Sequence, residues 1–172
     1  MSEIKNRVAS SPLVTIDLES FYERGDRMLF DLAPLLFQGI VVKEKEFRQQ
    51  VKELDLSVYT DKLVGVYCSV DAIIPTWAFM LVVVRLQEAA REVVIGDLED
   101  LEIHLMAKAL RELDVEALRD KPVVVKGCSK LPVPDYAYGE LVRRVLPVVK
   151  SLMFGEACST VPVYKRPRAQ GN

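Results

Sequence analysis

The sequence has few of the residues on which common hydrolytic enzymes depend. Its 172 residues include three cysteines, one tryptophan and a single histidine, His104. A Ser-His-Asp or Cys-His hydrolase would have to use this one histidine, and nothing in the sequence places it near a cysteine. We expect His104, in a helical segment between Ile103 and Leu105, to be a partly buried or surface side chain and not a ligand.

Local cofactor-binding motifs are also absent. The sequence contains no G-x-G-x-x-G fingerprint, no Walker A lysine and no H-E-x-x-H zinc motif. It has no C-x-x-C pair either, because consecutive cysteines are 60 and 30 positions apart. A site built from the cysteines must therefore be assembled by the fold.

Charge and hydropathy argue against two further classes of protein, nucleic-acid binders and membrane proteins. The net charge is −2 and the pI about 5.6, which is not typical of an electrostatic nucleic-acid binder. The longest apolar run, 72–84, is interrupted by Pro75 and is shorter than the ~20 residues of a membrane helix. The N-terminal residues are polar and do not resemble a signal peptide. We expect a cytoplasmic protein with reduced thiols that binds neither nucleic acid nor membrane.

The composition is that of a globular protein, with half of the residues hydrophobic and 28% charged. This length suits a single α/β domain over residues 1–172, and we expect residues 1–11 and 166–172 to be flexible ends. The cluster of basic residues at 165–168 is then a solvated tail.

Apolar strands alternate with helical patterns from residue 63 onward, which predicts a mainly parallel sheet flanked by helices in three layers. Two earlier segments, 13–18 and 27–32, are expected to form an N-terminal antiparallel strand pair. The later strands are predicted at 63–67, 93–95, 123–125 and 152–154. Helices are predicted at 43–54, 72–90, 98–113 and 135–150, the last kinked or ended early by Pro147.

Each cysteine is followed by serine and comes just after a predicted parallel strand. The three are Cys68, Cys128 and Cys158. The carboxyl ends of parallel strands lie along one edge of a sheet, where ligands bind. If the last four strands have the order 2-1-3-4, the three strands that precede cysteines are neighbours. The outer two sulfurs would then start on the order of 10 Å apart. We therefore expect the cysteines to converge into one site.

The loops that carry the cysteines favour thiolate chemistry. Backbone N–H groups and the positive end of a helix dipole lower the pKa of a nearby thiol, and thiolate is the form that binds metal. The neighbouring serines, Ser69, Ser129 and Ser159, are expected to cap helices or donate hydrogen bonds to sulfur. Lys126 and Lys130 flank Cys128 and could support thiolate charge or hold an anionic ligand.

Three thiolates leave a tetrahedral zinc ion one ligand short, and they leave one iron of a four-iron cluster open. Asp71, three residues after Cys68, and Glu156, two residues before Cys158, are the candidate fourth ligands. The leading hypothesis is therefore an iron–sulfur cluster or zinc bound by the three cysteines.

Two alternatives remain open. The first is a metal-free thiol enzyme with one reactive cysteine, for which Cys128 between its two lysines is the best candidate. The second is an interaction module in which the cysteines are simply buried, as free cysteines often are.

Several segments resemble an uncharacterised bacterial domain-of-unknown-function family, number twenty-four eighty, typical of Bacteroidetes. They are 43–48, 68–79, 96–102, 126–129 and 155–159. The resemblance covers nearly the whole chain but implies no established activity. It does imply a link to iron–sulfur cluster assembly, with assembly proteins as partners. The three-cysteine arrangement is also similar in its logic to quinolinate synthase, in which one cysteine from each of three α/β units holds a four-iron cluster. No residue role is carried over from that enzyme.

Overall fold

A computed structural model of the chain describes residues 13–127, 130–156 and 158–167. The chain forms two compact units. The central unit is Glu23–Leu105, and the terminal unit comprises the described parts of Met1–Tyr22 and Met106–Asn172. The expectation of a single domain over residues 1–172 stays a prediction.

The described ranges contain seven strands and four α-helices, and sequence periodicity predicted six of the strands and all four helices. The strands are β1 Val14–Ile16, β2 Arg27–Asp31, β3 Leu63–Tyr67, β4 Glu92–Ile95, β5 Pro122–Val125, β6 Ser151–Glu156 and β7 Ser159–Lys165. The helices are α1 Glu44–Lys52, α2 Thr76–Leu86, α3 Leu98–Arg111 and α4 Asp135–Val145.

Each unit has its own sheet. In the central unit the strand order is β2-β3-β4, and both pairs are parallel. In the terminal unit the order is β1-β5-β6-β7, with parallel pairs up to β6 and an antiparallel β7 at the edge. The α/β class with mainly parallel strands is therefore confirmed.

Two expectations about strand pairing were wrong. The N-terminal strands do not form an antiparallel pair, because β1 lies parallel to β5 and β2 lies parallel to β3. The four later strands do not share one sheet in the order 2-1-3-4, because β3 and β4 belong to the central sheet and β5 and β6 to the terminal one. Hydrophobic periodicity identifies a strand, but it does not identify the strand's neighbour.

Helices cover both faces of the central sheet, which confirms three layers there. On one face Val64 and Val66 of β3 pack with buried residues of α1 and α2, such as Phe47 and Val82. On the other face Leu63 packs with Leu101 and Leu105 of α3. The burial of each such side chain contributes ~1.5–3 kcal/mol. In the terminal unit, α4 and the last residues of α3 pack on β1, β5 and β6 through the following buried residues: Met106, Leu110, Leu141, Val145, Ile16, Val123, Val125 and Leu152.

The two units repeat one folding pattern. Helices α2 and α4 have the same length, and α4 lies 59 positions after α2. At the same offset, Asp61 and Asp120 both have positive φ, as do Gly96 and Gly155. Identical residues at this offset include Glu53 and Glu112, Leu54 and Leu113, Asp55 and Asp114, Asp61 and Asp120, Lys62 and Lys121, Pro75 and Pro134, Ala78 and Ala137, and Arg85 and Arg144.

Equivalent residues make equivalent contacts. The Arg85 guanidinium donates to the backbone oxygens of Lys52 and Leu54, at the end of α1. The Arg144 guanidinium donates to the oxygens of Arg111 and Leu113, each 59 positions later. One β-α-β-α-β unit is thus used twice in this chain, and α3 supplies the repeated first helix of the second copy.

Candidate functional site

The predicted cysteines are divided between the two units. Cys68 directly follows β3 of the central unit, and Cys158 lies in the turn between β6 and β7 of the terminal unit. Cys128 and Ser129 lie outside the described residues, just after Gly127. Convergence was expected from one continuous sheet, but β3 and β6 belong to different sheets. Convergence itself stays a prediction.

Asp31, at the end of β2, fixes the loop that carries Cys68. Its carboxylate accepts hydrogen bonds from the backbone nitrogen of Ser69 at 3.0 Å and from the Ser69 hydroxyl at 2.6 Å. It also accepts one from the nitrogen of Ala33 at 2.9 Å. Burial raises the pKa of Asp31, but these hydrogen bonds outweigh burial and hold the pKa below its usual value.

The Cys68 thiol is half-buried and packs beside the core that α1 and α2 form on β3. The Ser69 hydroxyl, which we expected to donate to sulfur or cap a helix, donates to Asp31 instead. Any role of Ser69 toward a cofactor stays a prediction.

Cys68 and Asp71, both proposed as metal ligands, line the same open groove of about 460 Å³. Asp97 and Asp100 line it as well, but both serve the start of α3. The Asp97 carboxylate accepts from the nitrogens of Glu99 at 2.8 Å and Asp100 at 3.1 Å. The Asp100 carboxylate accepts from the nitrogen of Asp97 at 3.0 Å, which completes a reciprocal cap at the start of α3.

The terminal unit has a matching carboxylate at the end of β1. The Asp17 carboxylate lies 2.9 Å from the Lys126 ammonium, and it accepts from the nitrogen of Glu19 at 3.0 Å. The Lys126 hydrogen bond is the main cause that lowers the pKa of Asp17, and the same bond raises the pKa of Lys126. The predicted anion-binding lysine is thus paired with a carboxylate of its own unit.

The residues after Ser129 are held by a second carboxylate. Glu19 accepts hydrogen bonds from the backbone nitrogens of Lys130 and of Leu131, the latter at 3.2 Å. Lys130 therefore takes part through its backbone, and its side chain is exposed. Its role toward an anionic ligand stays a prediction.

Cys158 is exposed at the tip of the β6–β7 hairpin. Ser159 is exposed too, and its backbone lies opposite Glu156 in the strand register. The turn depends on Gly155, whose φ is +124°, because a Cβ there would lie 2.6 Å from the backbone oxygen of Ser159. Ser159 and Glu156 are near the thiol in sequence, but neither role as ligand or donor is tested.

A second groove, of about 500 Å³, lies in the terminal unit. It repeats the central groove, because four positions line both grooves at the same offset of 59. They are Val66 and Val125, Cys68 and Gly127, Phe79 and Tyr138, and Ile95 and Phe154. Each groove therefore lies at the carboxyl ends of two parallel strands beside the helix that joins them, which is where α/β folds bind ligands. The sequence analysis did not predict the pair of grooves, because it did not identify the repeat.

Metal-ligating side chains do not cluster in the described ranges 13–127, 130–156 and 158–167. No group of three or more His, Cys, Asp or Glu side chains there is placed to hold a metal ion. His104 is half-exposed, and its Nε2 lies 3.2 Å from the Glu92 carboxylate. Its position at a partly exposed helix surface agrees with the sequence prediction.

Comparison with known proteins returned one family model, described as "Protein of unknown function (DUF2480)", which matches residues 2–166. Neither the curated proteins nor the solved structures contain a match. None of the helices in the described part of the chain has the length and apolar character needed to cross a bilayer.

Proposed function

The chain belongs to the DUF2480 family of proteins of unknown function, and on that premise we propose that it binds a thiophilic metal through its cysteine thiolates. The metal is zinc or the iron of an iron–sulfur cluster. The terminal unit supplies Cys128 and Cys158 as the first pair of ligands. Cys68 is the proposed thiolate ligand of the central unit.

The observation that carries the proposal is the adjacency of β5 and β6. Val125 and Phe154 are paired in the parallel register of these strands. Cys128 follows Val125 by three positions, and Cys158 follows Phe154 by four. Neighbouring strands are ~4.8 Å apart, so two chain segments that leave one edge together start within reach of a single metal ion.

Exposure of Cys158 supports the same proposal. Its thiol is accessible in the hairpin turn, where an incoming metal ion or a cluster donor can reach it. Nearby carboxylates suit a cation, because Glu19 and Glu156 both add negative charge around Lys126. Asp71, which shares a groove with Cys68, is the proposed oxygen ligand of the central unit.

The proposed partners are iron–sulfur assembly proteins that deliver or receive the cluster. This part of the proposal rests on the family resemblance alone. It predicts that cluster-loaded protein transfers its iron to an apo-ferredoxin faster than free iron and sulfide do. Transfer at the rate of the free components would contradict it.

Metal content tests the proposal first. The full chain should be purified without oxygen and without a metal-affinity tag, and its iron, zinc and visible spectrum measured. We expect bound iron with a brown colour, or one zinc per chain. Cys128→Ser and Cys158→Ser should each lower the bound metal at least about tenfold at limiting metal.

Ser57→Ala serves as the control for loss of an unrelated hydroxyl, and it should keep the metal. Cys68→Ser tests the ligand of the central unit separately. A metal-free protein that takes up neither zinc nor a reconstituted cluster would overturn the proposal. If such a protein had one fast iodoacetamide-reactive thiol, it would instead support the thiol-enzyme alternative.

A further inference from the structure

A short 3-10 turn after β1, Leu18–Phe21, carries a carboxylate on each side of a buried leucine. Leu18 is 2% exposed and belongs to the core of the terminal unit, and Asp17 and Glu19 flank it in the chain. The turn is closed by its own hydrogen bonds. Asp17 accepts from the nitrogen of Glu19 at 3.0 Å, and its backbone oxygen accepts from the Ser20 hydroxyl at 2.6 Å. Both carboxylates therefore start from a fixed backbone.

The first carboxylate fixes the chain on the amino side of Cys128. The Asp17 carboxylate lies 2.9 Å from the Lys126 ammonium, and the backbone nitrogen of Lys126 donates to the oxygen of Ile16 at 2.9 Å. Gly127, the next residue, lies close to the Phe154 ring, because a Cβ there would be 3.0 Å from two ring carbons. The chain is thus held up to the residue before Cys128.

The second carboxylate fixes the chain on the carboxyl side. One oxygen of Glu19 accepts from the backbone nitrogens of Lys130 and Leu131, the latter at 3.2 Å. These are the first two described residues after Ser129. Hydrogen bonds to a charged carboxylate are stronger than those between neutral groups. Two residues of one turn therefore hold both sides of the segment that contains Cys128.

The repeat shows that the first carboxylate has the same role in both units. The register partners of β1 and β2 are 59 positions apart, which makes Asp17 equivalent to Asp31. Each also accepts from the backbone nitrogen two residues on. Cys128 follows Ser69 by the same 59 positions, and Ser69 is the residue whose nitrogen and hydroxyl donate to Asp31. The cysteine thus occupies a position that is tied to a carboxylate in the other unit.

The second carboxylate distinguishes the terminal unit, because Ala33 has the position of Glu19 in the central unit. The fold therefore does not require a glutamate there. We propose that Glu19, together with Asp17, is the positioning residue of the Cys128 thiol. The use of that thiol toward metal rests on the function proposed above. A segment held on both sides loses less conformational entropy when its thiolate binds metal.

Thiol labelling and zinc affinity of the full chain test the proposal together. We expect Glu19→Ala to speed iodoacetamide labelling of Cys128 in the metal-free protein at least about fivefold, with Cys68 unchanged. The same variant should weaken zinc binding at least about tenfold. Glu19→Gln keeps an oxygen that accepts both hydrogen bonds, so it should recover most of both effects.

Asp114→Ala is the matched control. It removes another carboxylate of the terminal unit, one that accepts from the backbone nitrogen of Ala117 at 3.2 Å. It should leave the labelling rate of Cys128 and the zinc affinity unchanged.

Hydrogen exchange of the wild type tests the contacts without any substitution. The amides of Lys130 and Leu131 should exchange at least about tenfold more slowly than in an unfolded chain, because both donate to Glu19. Exchange of both amides at the unprotected rate overturns the proposal.

The outcomes separate this proposal from metal binding. A wild type that binds no zinc overturns the proposed function alone, because the labelling rate of Cys128 in metal-free protein still decides the role of Glu19. Equal acceleration of all three cysteines in Glu19→Ala would show general loosening and overturn the proposal. An unchanged labelling rate of Cys128 would also overturn it, as would an unchanged zinc affinity in a protein that binds zinc.

Discussion

The carboxylate of Asp31 accepts two hydrogen bonds from Ser69, at 3.0 Å from its backbone nitrogen and at 2.6 Å from its hydroxyl. This contact ties the end of β2 to the loop after β3, and it places Cys68 beside the core. We expect Asp31→Ala to lower the free energy of unfolding by about 1–2 kcal/mol and to speed iodoacetamide labelling of Cys68. Urea denaturation and peptide mass spectrometry measure the two effects.

Asp55→Ala is the matched control, because Asp55 also accepts from the backbone nitrogen two residues on, at 2.9 Å, and this hydrogen bond lies within its own turn. It should leave the labelling rate of Cys68 unchanged. Equal labelling rates in the Asp31 and Asp55 variants would show that Asp31 does not hold the loop.

The lowered pKa values of Asp17 and Asp31 predict that the free energy of unfolding falls at acid pH. Both folded pKa values are lowered, so the unfolded chain, with an Asp pKa of about 3.9, takes up protons first as the pH falls. Their contribution is present at neutral pH and is lost below about pH 4. Lys126→Met should make stability depend less on pH in this acid range, because Lys126 is the main cause of the lowered pKa of Asp17. Thermal melts from pH 2.5 to 7 measure this, and an unchanged slope in Lys126→Met would argue against the pair.

The equivalent arginines of the two units should have similar energetic roles. Arg85→Met and Arg144→Met each remove hydrogen bonds to two backbone oxygens at a helix end. We expect each to lower the free energy of unfolding by about 1–2 kcal/mol and the double variant to lose the sum. The exposed Arg143→Met should cost less than about 0.5 kcal/mol. Strongly unequal losses for Arg85 and Arg144 would contradict their equivalence.

Replacement of two glycines by alanine should change the free energy of unfolding in opposite directions. Gly155→Ala places a Cβ 2.6 Å from the Ser159 oxygen at a φ of +124°, so we expect a loss of about 1–3 kcal/mol. Gly139→Ala, in α4, meets no atom within 4 Å and should gain about 0.5–1 kcal/mol. Chemical denaturation of both variants tests this. Stabilisation by Gly155→Ala would mean that the β6–β7 turn has another conformation.

Much of the fold could be predicted because local periodicity encodes strands and helices. The end of α4 at Val145, ahead of Pro147, follows from the missing N–H of proline. The sheets could not be predicted in the same way, because β1 and β2 could pair with each other or with later strands. The signal for two units was present as the recurring Glu-Leu-Asp and Asp-Lys pairs 59 positions apart.

The C-terminal strand β7 was missed. Its Pro162 argues against a strand, but β7 is at the sheet edge, where a missing N–H is tolerated. The flexible ends stay a prediction, although Arg166, the first residue of the C-terminal one, has defined contacts. Arg166 donates from its backbone to Lys150 at 2.9 Å and from its guanidinium to the Val148 oxygen at 2.6 Å. Residues 1–11 and 168–172 lie outside the described residues.

The candidate site was only partly accessible from the sequence. The cysteines were placed correctly after strands where the chain is described, because strand ends are visible in the apolar pattern. Asp17 and Asp31 were missed, since each falls inside a predicted strand where a single carboxylate gives no motif. Their importance comes from the register of β1 with β5 and of β2 with β3, which only the fold supplies.

X-ray absorption at the metal edge measures directly which atoms bind the metal, with the full chain loaded with one equivalent of zinc. Binding by cysteine thiolates predicts a sulfur shell at about 2.3 Å, and this shell should lose one sulfur in Cys158→Ser. A shell of only oxygen and nitrogen at about 2.0 Å, unchanged by replacement of Cys128 or Cys158, would contradict thiolate binding of metal by this protein.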